Sequence, residues 1–157
     1  MSATLIRPAQ LSDVTTLATM MIEFYAEADL VLDRGRAQAV FERLIRHREL
    51  GCVWVLECDS AVAGYVVLTL MYAMEYGALR GFIDDLYVRA SFRRRGLAGA
   101  ALSRVRAYCL ESQVSALFVQ AGADNDAAQR TYKSAGFVDT GHQLLARPLA
   151  PPIHRTS

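Results

Sequence analysis

An abrupt change of period at Gly51 is the feature that most limits what this chain can fold into. Before it, apolar residues recur at helical spacing: Val14, Leu17, Ala18, Met21, Ile22 and Tyr25, then Val40, Leu44 and Ile45. After it, Cys52-Val53-Trp54-Val55-Leu56-Glu57-Cys58 and Ala63-Gly64-Tyr65-Val66-Val67-Leu68-Thr69-Leu70 are rich in β-branched and aromatic residues. Such residues suit a pleated, packed surface, and Asp59-Ser60 between the two runs favours a tight turn, so a hairpin is expected. Phe82-Ile83-Asp84-Asp85-Leu86-Tyr87-Val88 reads as a further strand. Helical spacing then returns from about residue 96 to residue 111, with Leu97, Ala101, Leu102 and Val105 on one face. Ala116-Leu117-Phe118-Val119-Gln120 reads as a buried strand. A helix over about residues 126–134 is stopped by Gly136, and two closing strands are expected at about 137–140 and 143–149.

With Thr4-Leu5-Ile6-Arg7 as a first strand, the order is β-α-α-β-β-β-α-β-α-β-β. Antiparallel strands come first and an α/β unit follows. The expectation is an α/β (α+β) fold: a mixed, mostly antiparallel central sheet of about seven strands flanked by helices. The chain's 157 residues suit one domain, taken as 1–150, with a short Pro-containing tail at 151–157.

Composition narrows the function. The net charge of +1 gives no overall attraction to nucleic acid or to an anionic membrane, so any anion site must be local. The longest apolar stretch, 61–73, is too short to span a bilayer, and Ile6-Arg7-Pro8 breaks the start of any signal peptide. Cys52, Cys58 and Cys109 are odd in number and form no close pair, which suits reduced thiols in a cytoplasm. His47, His142 and His154 lack metal-ligand spacing, so no metal is expected. Cys109, on the apolar face of its helix, reads as core.

A local anion site is written between the strand ending at Val88 and the helix that follows. Arg93-Arg94-Arg95-Gly96-Leu97-Ala98-Gly99 carries small residues where a helix begins. The first turn of a helix has N–H groups without intrahelical partners and the positive end of the dipole. Small residues let a phosphate approach those groups, and arginines add charge-assisted donors. No GxxxxGK[ST] occurs, and no GxGxxG follows the first strand.

These residues resemble the cofactor-binding signature of the GNAT N-acetyltransferase family, [R/Q]-x-x-G-x-[G/A], preceded here by Leu86-Tyr87-Val88. Asn125, Ala128, Tyr132, Gly136 and Phe137 resemble that family's second signature. The element order is similar over nearly the whole chain. The resemblance implies acetyl-CoA as cosubstrate, with Leu86, Tyr87 and Val88 pairing their backbone with the pantetheine arm. It implies that the backbone of residues 94–99 holds the pyrophosphate and that Arg93 has a supporting role. Ala98 stands where many relatives carry Gly.

Amine acetylation needs a proton acceptor for the amine and a proton for the departing sulfur. Asn125 and Tyr132, seven apart, return to one helix face. The resemblance implies Tyr132 as general acid, with Asn125 on the cofactor arm or capping its helix. For the base, Glu75, Asp84 and Asp85 lie before or on the cofactor strand. Strand alternation puts Asp84 and Asp85 on opposite faces, so one of them at most faces the substrate. Similarity to diamine acetyltransferases, in the context Ile83-Asp84-Asp85-Leu86-Tyr87-Val88, points to Asp84. Glu75 is expected in a loop over the acceptor cleft.

Glu23, Glu27, Asp29 and Asp33 form an acidic cluster that would attract a cationic amine or simply be solvated. Tyr25, Tyr72 and Tyr76 would line an apolar part of the cleft or pack in the core. The expected activity is N-acetylation of a primary amine on a small molecule, such as a diamine or polyamine. A protein lysine or N-terminal acetyltransferase and a non-catalytic coenzyme A-binding module are the alternatives. The family implies a homodimer.

Overall fold

The computed structural model describes residues 2–157. The elements run β1 (Thr4–Pro8), a 3-10 turn (Leu11–Asp13), α1 (Val14–Ala26), β2 (Leu30–Leu32), α2 (Arg34–Arg46), β3 (Gly51–Cys58) and β4 (Ala61–Ala73). There follow β5 (Ala78–Val88), a second 3-10 turn (Ala90–Phe92), α3 (Leu97–Glu111), β6 (Val114–Val119), α4 (Asp126–Ser134) and β7 (His154–Thr156).

Five strands form one sheet in the order β1-β3-β4-β5-β6. Its first three pairings are antiparallel and β5–β6 is parallel. The β3–β4 hairpin closes as its sequence predicts. Asp59 and Ser60 both take positive φ, 51° and 66°, which matches the twist of a two-residue turn. Along β3, Trp54 and Leu56 pack on Leu97, Ala101, Leu102 and Val105 of α3. Val53 and Val55 pack on the other face, with Leu17, Met20 and Met21 of α1 and Ala37 and Phe41 of α2. Because helices cover both faces, the middle strands read as almost continuous apolar runs rather than as alternation.

The mixed, mostly antiparallel architecture flanked by helices is the expected one, but the seven strands are shared differently. Residues 137–140 and 143–149 form no strand. A strand needs a partner as well as a propensity, and this segment has none here. Val138, Leu144, Leu145 and Leu149 are exposed. The seventh strand lies instead at His154–Thr156, inside the expected tail, and pairs antiparallel with Leu30–Leu32. Neither β2 nor β7 was legible, because each is only three residues long.

Candidate functional site

β5 is longer than its partner. Its pairing with β6 ends at Ile83 and Val119, yet it continues to Val88. The backbone groups on that edge from Asp84 onward therefore face no neighbouring strand. A groove of about 870 Å³ fills the opening between β5, the start of α3, and α4. Leu86, Tyr87, Val88, Arg93, Arg94, Gly96, Leu97, Ala98, Gly99, Ala128 and Tyr132 all border it. Of the cofactor residues expected from the sequence, Arg95 and Asn125 do not.

The basic loop divides its three arginines. Arg93 Nε donates to the Val88 carbonyl at 2.8 Å, and its guanidinium pairs with Glu27 and lies 5.8 Å from the Tyr87 ring centre. It ties loop, strand and α1 together. Arg95 donates to the Ser91 carbonyl at 3.2 Å and lies over Phe92. Arg94 borders the groove with no side-chain hydrogen bond or ion pair among the described residues. Gly96 is the N-cap of α3 at φ 78°, and no side chain caps the helix. The first-turn N–H groups of Leu97, Ala98 and Gly99 thus keep their capacity for an acceptor such as a phosphate oxygen. Open strand edge, uncapped helix start and unpaired arginine fit the pantetheine arm and pyrophosphate of a coenzyme A.

The second signature also has a physical reading. Asn125 Oδ1 accepts from the Ala128 N–H at 3.1 Å and caps α4, which accounts for its absence from the groove wall. At the other end, the Gly136 N–H donates to the Lys133 carbonyl and the Phe137 N–H to the Tyr132 carbonyl, both at 3.0 Å. Gly136 has φ 94°. This is the Schellman arrangement, and its customary apolar contact is here Tyr132 against Phe137, ring centres 5.8 Å apart. The Gly-Phe pair thereby stops the helix and packs against the phenol that borders the groove.

A β-bulge sets the acidic groups. Val67 pairs with Asp85 and Leu68 with Ile83, leaving Asp84 as an extra residue. Ile83, Leu86 and Val88 face the α3 core while Tyr87 faces the α1–α2 core. The two aspartates fall between Ile83 and Leu86, so the expected alternation fails there. Charges on both raise the pKa of Tyr25 in α1, adding to the larger effect of burial. Asp85 accepts from the buried Tyr65 hydroxyl at 2.9 Å, and burial pushes its pKa up to about 7, against the pull of that hydrogen bond. Asp84 keeps solvent access, although the surrounding protein raises its carboxyl as well. Burial raises the Tyr132 phenol, and the charge of Asp85 raises it further. Asp85, with Tyr65 bonded to it, joins Asp84 as a candidate, although the similarity to diamine acetyltransferases pointed to Asp84 alone. Their one signal was a pair of adjacent acids inside an otherwise apolar strand.

Other expected groups lie elsewhere. Glu75 is in the exposed turn between Ala73 and Ala78. Six residues of strand, about 20 Å, separate that turn from Asp84, so Glu75 is not brought to this cluster. The acidic cluster near α1 is largely consumed internally. Glu23 receives Arg89 through both carboxylate oxygens at 3.0 Å and accepts from the Tyr87 hydroxyl at 3.2 Å. Glu27 holds Arg93, and Asp33 caps α2 by accepting from the Arg36 N–H. Tyr72 and Tyr76 are exposed near the β4–β5 turn, while Tyr25 is half-buried beside the aspartates with its ring edge-on to His154 of β7. Burial pushes the Cys109 thiol up to about 11, which leaves it a packing group.

Fold and groove together define an acyl-CoA-type transferase, and comparison with known proteins agrees. The model of the acetyltransferase (GNAT) family matches residues 17–137. An integron cassette protein from the mobile metagenome of Cole Harbour Salt Marsh is 40% identical, with a TM-score of 0.88 over 94% of this chain and 92% of that one. The aminoglycoside N-acetyltransferase AAC(6')-Iy, solved with CoA, has a TM-score of 0.81 at 15% identity, covering 96% of this chain and 97% of that one. A predicted acetyltransferase from Clostridium acetobutylicum, solved with acetyl-CoA, has a TM-score of 0.78 at 16% identity over 92% and 96%. This chain belongs to the GNAT family and is an acetyl-CoA-dependent N-acetyltransferase.

Proposed function

We propose that this enzyme acetylates a primary amine of a small molecule, with diamines and polyamines as the acceptor class. The observation that carries the reading is the placing of Tyr132 on the groove wall, near enough to the bulged Asp85 for that carboxylate to raise its pKa. In this reading the backbone of Leu86, Tyr87 and Val88 holds the pantetheine arm. The N–H groups of residues 96–99, with Arg94, hold the pyrophosphate. Bound acetyl-CoA supplies the acetyl group as a thioester.

The protein's own groups handle the protons. An ammonium acceptor must lose one before its lone pair can attack, and Asp85, poised near pH 7, takes it while Asp84 holds the cation's charge. Tyr132 keeps its phenol proton at neutral pH because burial and the nearby carboxylate both disfavour a phenolate. That proton goes to the sulfur as the carbon–sulfur bond breaks. Two acids close together suit a multiply charged amine better than a single neutral one. The aminoglycoside acetyltransferases that share this fold act on acceptors of that kind, which supports the choice.

The enzyme is further proposed to act as one domain that takes in β7 at His154–Thr156, in the cytoplasm, as a homodimer. Its three free cysteines suit a reducing compartment. The test is thiol release from acetyl-CoA across a panel of diamines, polyamines, aminoglycosides and lysine peptides. Turnover of the small polycations, rising through pH 7, is expected. Absence of thiol release with every amine would overturn the reading, and faster turnover of peptides would move the acceptor to protein.

A further inference from the structure

A small pocket lies away from the coenzyme A groove and shares no residue with it. It sits where β1 stops at Pro8, between the end of α2 and the second half of α3, beside the first residues of β3. Its volume is about 90 Å³, roughly that of three liquid waters. Leu44, Val53 and Trp54 give it apolar walls, and Arg48, Cys52, Arg104 and Tyr108 are its polar ones. Tyr108 stands edge-on to Trp54, ring centres 5.3 Å apart. The Cys52 thiol, more than burial, raises the Tyr108 phenol, while Ser112 and Arg48 pull it the other way. Thiol, phenol and guanidinium are thus close neighbours.

The charge on this wall is unbalanced. Arg7, Arg46, Arg89 and Arg93 each hold a carboxylate. Arg48 and Arg104 hold none among the described residues, and no acid borders the pocket. Arg48 is exposed and Arg104 half-buried. A half-buried guanidinium without an anionic partner has lost hydration that a bound oxyanion would replace with charge-assisted hydrogen bonds.

The apolar walls select among anions. Phosphate has oxygen on every side and would lose hydration against Leu44, Val53 and Trp54. A short-chain carboxylate has one charged end for the guanidiniums and an apolar end for those walls. We infer that this pocket is a second ligand site, which takes a small monocarboxylate of about the size of butyrate with its oxygens on Arg48 and Arg104. The site is independent of the acetyl-CoA groove and of the acceptor proposed above.

Trp54 is the single tryptophan of the chain, so tryptophan fluorescence reports on this pocket alone. Titration with butyrate at fixed ionic strength should change it saturably, with a Kd on the order of 1 mM. Saturating coenzyme A should leave that Kd unchanged, and phosphate should bind at least about tenfold more weakly. Arg48→Gln combined with Arg104→Gln should weaken butyrate binding by about tenfold or more. Cys52 supplies a check that needs no variant, because Cys58 and Cys109 are buried. Iodoacetate carries a carboxylate and iodoacetamide does not. Their rate ratio at Cys52, followed by peptide mass, should exceed the ratio at free cysteine by about tenfold and fall back when butyrate is added. A signal that does not saturate overturns the site, as does a Cys52 ratio equal to that of free cysteine. Phosphate binding as tight as butyrate overturns the carboxylate assignment. Butyrate displaced by coenzyme A overturns the separation from the groove, and unchanged affinity in the double variant overturns the role of the arginines.

Discussion

On the groove side of β5 the protein presents backbone: an open strand edge, the first turn of α3 and a glycine N-cap. On the α1 side it presents side chains, where Asp84, Asp85, Tyr25 and Tyr65 are gathered by a bulge and by helix packing. Of the four acids expected to attract an amine, Glu23 and Glu27 hold Arg89 and Arg93, and Asp33 caps α2. A backbone site is specified by a short run of chain. A side-chain site is assembled from three elements, and its charge depends on which partners have already been taken.

Removing the group that joins the two sides should have the largest effect. Tyr132→Phe is expected to lower kcat by about 100-fold or more while leaving acetyl-CoA affinity nearly unchanged. An unaltered kcat across the pH range would sever Tyr132 from proton donation.

Asp85→Asn comes next. It should lower kcat/KM by about tenfold to 100-fold and remove the rise in activity near pH 7. The same change should stabilise the fold. The folded protein binds the Asp85 proton up to about pH 7, whereas an unfolded aspartate releases it near 4. Stability therefore falls as pH rises between those values and stays lower above them. Denaturant titration at pH 8 should show a gain on the order of 2 kcal/mol for the variant, and a loss would place the carboxylate in a stabilising role.

Gly96→Ala probes the backbone side. A φ of 78° is unfavourable for a residue with a Cβ, by roughly 1 kcal/mol, and the loop would relax away from this shape. Calorimetry should show coenzyme A binding weakened several-fold, with amine specificity unchanged. Altered specificity would mean that the two sides are not separate.

The smallest effect is expected for Glu23→Gln. Its pair with Arg89 is partly solvated and contributes about 0.5 kcal/mol. Acceptor KM should be unchanged. A marked rise would return Glu23 to the acceptor site and undo the contrast between the two sides.

The glycine-containing loop, the strand before it and the Asn–Tyr–Gly–Phe spacing of α4 were legible because each depends on interactions within a few residues. Helical and strand periods located α1 to α4 and the middle of the sheet for the same reason. Short β2 and β7 were missed, since three residues carry no period and their pairing spans the chain. Expected strands at 137–140 and 143–149 have the composition of strands but no partner in a single copy. Glu75, expected in a loop over the cleft, does lie in a loop, but the β4–β5 hairpin is long enough to separate it from Asp84 by about 20 Å of strand.

Sequence by itself determined the fold class, because local propensity and backbone hydrogen bonding act over short separations, and through its resemblance to two family signatures it pointed to the family and to acetyl-CoA. Only the tertiary structure decided how the acidic groups are arranged. One extra residue in β5 overrode strand alternation at Asp84 and Asp85, and burial rather than residue type brought Asp85 to the point of titrating near neutrality. Ion pairing between α1 and the loop that follows β5 occupied Glu23 and Glu27, two of the four acids offered as the amine's attractor.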